Sequence, residues 1–201
     1  MEVEKKKVNF IFDLGNVLIY YTPDVYLKSL FSDDNLVDKL LNTIFKSPEW
    51  LDMDRGILTH EEATDIFCTR KPELQSEIRR VMKNYEKTFT PIQSSVELLP
   101  KLKESGHDLY YLSNMHKEIR DHLVKSFDFF NLFEGGVFSC DVNSIKPSPE
   151  IYRFLLNKYN LDPNDCLFFD DMEENVSAAV KEGIKGIHFT TAECVLPFMR
   201  N

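Results

Sequence analysis

The chain has 201 residues, 33 of them acidic and 24 basic, for a net charge of −9. That length fits one domain, or one domain carrying a small insertion, and a hydrophobic content of 43% excludes global disorder. The acidic balance disfavours nonspecific nucleic-acid binding, so an anionic ligand would need a cation or local lysines at its own site.

The start, MEVEKKK, is charged, and the apolar run after it is too short for a signal peptide and is interrupted by Asp13. No run approaches the roughly 18 apolar residues of a membrane span. The expectation is a cytoplasmic protein with no membrane partner. Cys68, Cys140, Cys166 and Cys194 form no CxxC pair and read as free, buried thiols of a reducing compartment. The five histidines are scattered, without zinc-ligand spacing. The sequence offers no basis for an oligomeric state.

In chain order, VNFIF (8–12) is the first β-rich run. Residues 20–90 differ: no alternating strand is visible, and DVYLKSLF, NLVDKLLNTIF, THEEATDIF and SEIRRVMKNYEKTF have helical patterns. Thr59 with Glu62 matches a capping box, and Pro91 marks the return to a different pattern. In VELLPKLKE, Val96, Leu99 and Leu102 form a helical face; Pro100 predicts a late start or a kink, and Gly106 is the C-cap candidate. HDLYYLS (107–113) is the second strand-like run, followed by a repeat of Ile119, Leu123 and Phe127. GGVFSC (135–140) is the third. In SPEIYRFLLNKY, Ser148 and Pro149 read as N-cap and first helical residue, with Ile151, Phe154, Leu155 and Tyr159 on one face. CLFFD (166–170) precedes EENVSAAVKEG, whose face is Val176, Ala179 and Val180 and whose end is Gly183. KGIHF (185–189) is the last run. Apolar runs without strict alternation suit strands buried on both faces of a parallel sheet. Strands alternating with helices predict a doubly wound α/β fold, mainly parallel and Rossmann-like. The core would span 1–19 and 91–201, with 20–90 as a helical insertion.

Ligands of open α/β sheets bind beyond the carboxyl ends of the strands. The first strand-like run is followed by Asp13, the second by Ser113 and Asn114, the third, after a short connection, by Lys146, and the fourth by Asp170 and Asp171. Each has an ordinary alternative as a turn former, helix cap or solvated loop lysine. As an ordered set they suit phosphoryl transfer: Asp13 as nucleophile, Asp13 and Asp171 sharing a magnesium, Ser113 binding a phosphoryl oxygen, and Lys146 neutralising developing charge.

The four stretches FIFDLGNVL, LYYLSN, IKPSPEIY and CLFFDDMEEN, in this order, resemble the motifs of the haloacid dehalogenase superfamily of phosphohydrolases. The resemblance spans nearly the whole chain, since 20–90 lies where that family inserts its helical cap. It implies Asp13 as nucleophile, Ser113, Asn114 and Lys146 around the phosphoryl group, and Mg2+ as cofactor. The metal would be held by Asp13, the Gly15 carbonyl, Asp171 and Asp170. Asn175 stands where many relatives have a further acid and is left out of that set. Asp24, Trp50, Asp54 and Arg55 are the expected cap contacts to a small phosphorylated metabolite.

Gly15 departs from the pattern. Family phosphatases usually carry there a second Asp that protonates the leaving group, and losing such a group costs about 10²–10⁴-fold in rate. DLGNV with FFDD is most similar to the branch acting on alpha-D-glucose 1-phosphate, which carries this glycine. That branch is similar to the phosphatase domain of soluble epoxide hydrolases, which retains the acid. Three rivals follow. A dehalogenase lacks the second acid too but has no use for Asp170 and Asp171; a signalling receiver places its acidic pair first; a catalytically weak phosphosugar-binding protein would be disabled by Gly15.

Overall fold

The computed structural model describes residues 7–199, so all but the last residue of the MEVEKKK start lies outside the description. The five expected runs are five parallel strands: β1 (Asn9–Phe12), β4 (Asp108–Ser113), β5 (Gly135–Phe138), β6 (Cys166–Asp170) and β7 (Lys185–His188), in the spatial order β5-β4-β1-β6-β7. The chain winds from β1 outward to β4 and β5, then crosses to the other side of β1 for β6 and β7. The reversal falls beside β1 and opens a crevice at the carboxyl ends of β1, β4 and β6.

The sheet is covered on both faces, which is why its strands lack strict alternation. One face of β1 and β6 sends Phe10, Phe12, Leu167 and Phe169 into the larger core cluster, with Phe12 stacked on Phe169 at 5.1 Å. The other face sends Ile11, Cys166 and Phe168 into a second cluster with Ile151, Tyr152 and Leu155 of the helix Pro149–Tyr159. Every residue of β6 is buried.

Pro100 has its expected effect. The helical stretch breaks at Glu97 into Gln93–Val96 and Leu98–Glu104, so the proline falls in a first turn, where its missing N–H breaks no ladder. Gly106 follows the helix end at φ +87°. Two helix faces need correction. In Pro149–Tyr159 the buried stripe runs through Ile151, Tyr152, Leu155 and Leu156, and Phe154 falls off its edge and is exposed. In Glu173–Lys181 the buried positions are Asn175 and Ala179, and Val180 is exposed. Of the four free cysteines only Cys68 and Cys166 are buried; Cys140 and Cys194 are half-buried.

The stretch 20–90 holds five α-helices, as its pattern predicts: α1 (Pro23–Leu30), α2 (Asp34–Leu40), α3 (Pro48–Asp54), α4 (His60–Arg70) and α5 (Gln75–Met82). Thr59 and Glu62 close a reciprocal capping box at the start of α4. A pair of strands escaped the sequence pattern: β2 (Ile19–Tyr21) and β3 (Phe89–Pro91) pair antiparallel at the two ends of that helical stretch. Three residues are too few to show a period of two. No helix among the described residues is long and apolar enough to cross a membrane.

Candidate active site

Asp13 follows β1, and its N–H donates to the Phe169 carbonyl at 2.9 Å, carrying the β1–β6 ladder one residue further. That register sets Asp13 beside Asp170, the last residue of β6. Lys146 reaches them from the connection after β5. Its ammonium sits 2.8 Å from Asp13 Oδ1 and 2.6 Å from Asp170 Oδ2, almost wholly buried. Asp13 Oδ1 also accepts from the Leu14 N–H at 2.7 Å. Asp13 Oδ2 has no hydrogen-bond partner among the described residues.

Carboxylate oxygens of Asp13, Asp170 and Asp171 come within 4.8 Å of one another. Three carboxylates share one ammonium there. Burial pushes the Asp13 carboxyl up to about 7, with Lys146 pulling down and Asp170 pushing up. Burial raises Asp171 as well. Burial opposes the Lys146 charge, but Asp13 and Asp170 together lift its pKa above the ordinary value. A cluster of hard oxygens short of positive charge fits a divalent cation such as magnesium.

The three acids are not equivalent. Asp170 is fully buried and filled: Oδ1 accepts from the Met172 N–H and the Asn175 amide, both at 2.9 Å, and Oδ2 accepts from Lys146. It does not line the cavity at the strand ends, whereas Asp13, Gly15, Asp171 and Asn175 do. Asp171 Oδ2 accepts from the Asn16 amide at 3.3 Å. Asn16 sits at φ 53°, a left-handed conformation that asparagine tolerates, and its Oδ1 accepts from the Tyr21 N–H.

Ser113 is buried, lines the cavity and spends its hydroxyl on no other described residue. Asn114 differs. Its amide fork closes on the Lys146 backbone, Nδ2 donating to the carbonyl at 3.0 Å and Oδ1 accepting the N–H at 2.8 Å. Although it lines the cavity, its side chain fixes the loop that carries the ammonium.

The cavity has a volume of about 240 Å³. Opposite the acidic cluster it is walled by Tyr21, Trp50, Asp54, Phe89, Met115 and His116. Of the four expected cap contacts, Trp50 and Asp54 reach it. Asp24 is exposed in the first turn of α1, and Arg55 turns to Asp52 at 3.0 Å; neither lines the cavity. His116 and Tyr21 were not legible as site residues. His116 is buried, with Nδ1 3.0 Å from Asp54 Oδ1 and Nε2 2.9 Å from the Tyr85 hydroxyl. The buried Tyr21 hydroxyl has no partner among the described residues. The available signal for His116 was its position three residues after Ser113, at the same strand end.

The sequence matches the haloacid dehalogenase-like hydrolases over residues 9–183, and the chain belongs to that family of hydrolases. It is 28% identical over 180 residues to a sesquiterpene phosphatase of Aspergillus oryzae, covering 90% of this chain and 88% of that one. It is 34% identical over 127 residues to a phosphorylated carbohydrates phosphatase of Thermotoga maritima, covering 63% of this chain and 57% of that one. Among solved structures, the magnesium complex of a family enzyme from Bacteroides thetaiotaomicron superposes with a TM-score of 0.76 at 22% identity, covering 98% of this chain and all of that one. That likeness speaks for the shared fold.

Proposed function

We propose that the protein is a magnesium-dependent phosphatase of a small phosphomonoester, acting through an aspartyl-phosphate on Asp13. The observation that carries this reading is the Asp13–Lys146–Asp170 array at the mouth of the crevice, with Asp171 at the same edge. Asp13 Oδ2, held toward the cavity by the two bonds on Oδ1, attacks phosphorus. The Ser113 hydroxyl donates to a phosphoryl oxygen, and Lys146 neutralises the charge that gathers on the transferring group. Asp13, the Gly15 carbonyl and Asp171 would hold the magnesium, which screens the phosphoryl charge so that an anionic nucleophile can approach. Asp170, already filled by three donors, holds Lys146 in place. Water then cleaves the aspartyl-phosphate and restores Asp13.

Residues 20–90 serve as a cap that excludes water in the first step, over a core of 1–19 and 91–201. The substrate is a sugar phosphate, with glucose 1-phosphate the leading candidate. A cavity of about 240 Å³ suits a small ligand. The faces of Tyr21 and Trp50 offer stacking area, while Asp54 and the unpartnered Tyr21 hydroxyl ask for hydroxyl partners. A wholly apolar leaving group such as a terpenoid would leave the Tyr21 hydroxyl stranded, a cost of about 1–3 kcal/mol. The acidic cluster sets this reading above carbon–halogen hydrolysis, which gains nothing from it. A cytoplasmic location belongs to the same proposal.

A panel of phosphorylated metabolites tests it. Phosphate release should require magnesium, stop with chelator and be fastest among sugar phosphates. Full activity in chelator, or halide release from a 2-haloacid without phosphate release, would overturn it.

A further inference from the structure

The reaction proposed above needs a proton at the leaving oxygen, and Gly15 cannot supply one. Its backbone is not in the left-handed region, and a Cβ built there would meet nothing within 4 Å. Neither strain nor crowding requires glycine, so the space beside the nucleophile is open. Any acid must come from elsewhere on the cavity wall. Of the acids and imidazoles lining the cavity, Asp13 and Asp171 belong to the phosphoryl side; Asp54 and His116 remain.

We infer that Asp54 is the general acid and base of this site, with His116 and Tyr85 as its positioning residues. The Tyr85 hydroxyl donates to His116 Nε2, so the proton of the neutral ring sits on Nδ1 and is donated to Asp54 Oδ1. Burial holds the Tyr85 phenol far above its usual range, which keeps it a donor. This relay occupies Oδ1 and leaves Oδ2 with no partner among the described residues, on a side chain that lines the cavity. As the phosphorus–oxygen bond breaks, the proton on Oδ2 passes to the leaving oxygen, giving the alcohol. Asp54 then takes a proton from the water that attacks the aspartyl-phosphate, releasing phosphate and returning both aspartates to their starting states.

Asp54 is fastened for this work. It ends α3, and its carbonyl accepts from the Ser139 hydroxyl at 2.5 Å, just beyond β5. The Arg55 carbonyl accepts from the Asn143 amide at 2.8 Å. Gly56 allows the close approach: it sits at φ +70°, and a Cβ there would lie 2.6 Å from the Cys140 carbonyl oxygen. The carboxylate is therefore tied to the strand ends that carry the rest of the site.

This inference rests on the phosphatase reading, and leaving-group chemistry separates the two. The test compares p-nitrophenyl phosphate, whose leaving group needs no proton, with 2-phenylethyl phosphate, whose alkoxide does. Measured within the first turnover, before the aspartyl-phosphate is hydrolysed, Asp54→Asn should slow cleavage of the second by about 10²–10⁴-fold and of the first by much less. Bond cleavage in the first should leave a pre-steady-state burst, because Asp54 no longer activates the water. The ratio of the two rates does not depend on how much of the sample is folded. Should that variant yield no active protein, His116→Gln is read by the same ratio, with a smaller shift in the same direction. Gly15→Asp added to Asp54→Asn should restore turnover of the alkyl ester, which a merely structural role for Asp54 would not allow. Equal losses of first-turnover cleavage on both esters, or no loss, overturn the assignment of Asp54 alone. Turnover that persists in Asp13→Asn overturns the phosphatase reading beneath it.

Discussion

The two walls of the cavity are built differently. The sheet wall is charged and internally paired: the register of two adjoining parallel strands sets Asp13 beside Asp170, and Lys146 reaches both from the connection after β5. The wall opposite is the helical wall, built on Trp50 and Asp54 of α3 and completed by Tyr21 of β2 and His116 from beyond β4. It is aromatic, with Trp50 4.7 Å from Phe45 and edge-on to His116 at 4.9 Å, and carries one carboxylate–imidazole pair and a phenol without a partner among the described residues. The first wall is matched to a phosphoryl group, which all phosphomonoesters share. The second is matched to the part that varies. Changes on the sheet wall should therefore affect every substrate alike, and changes on the helical wall should depend on the leaving group.

The largest expected effect is on the sheet wall. Asp13→Asn should lower turnover of every phosphomonoester, on the order of 10⁶-fold, the scale of nucleophile removal in other covalent hydrolases. Steady-state assays across the panel check it, and a loss confined to some substrates would break the comparison. Lys146→Met should also be indiscriminate. It leaves Asp13 and Asp170 buried without their shared cation, which costs about 3–5 kcal/mol in the metal-free protein, read by urea unfolding.

Magnesium should act on the same wall with a definite pH sign. The folded Asp13 carboxyl titrates at about 7 against an ordinary 3.8. Its contribution to metal-free stability is fully present below about 4 and is lost as the pH rises through 7. The metal competes with that proton, so the melting shift from magnesium should be larger near pH 8 than near pH 5. At 100 times its dissociation constant the ion adds about 2.7 kcal/mol. A shift that shrinks toward alkaline pH would contradict the cluster as the ion's site.

The smallest effect belongs to the helical wall. Gly56→Ala places a side chain at φ +70° against the Cys140 carbonyl and should cost about 1–3 kcal/mol. By loosening Asp54, it should slow alkyl esters more than aryl esters.

The sequence made the sheet wall legible because each parallel strand is a short apolar run and its functional residue comes next. Asp13, Ser113 and Asp170–Asp171 needed only that rule, and Lys146 needed one short connection more. The helical wall followed no such rule. Asp54, Tyr85 and His116 come from three separated stretches and meet only in three dimensions. Trp50 and Asp54 were legible as candidates, but so were Asp24 and Arg55, since nothing in a helical pattern says which residue of an insertion faces the sheet. Phe154 and Val180 teach the same on a smaller scale. Each is an apolar residue at helical spacing, and the sheet beneath selects a stripe that leaves it out. The β2–β3 pair is set by tertiary pairing over three residues per strand, too short for any pattern.

The central claim is that Asp13 carries the phosphoryl group. The most direct test is to mix the protein with magnesium and a rapidly cleaved aryl phosphate, quench in acid within the first turnover and map the phosphorylated peptide by mass spectrometry. One phosphoryl group is expected on the peptide containing Asp13, and none in Asp13→Asn. Phosphate released at full rate with no phosphoryl group on Asp13, and equally by Asp13→Asn, would contradict it.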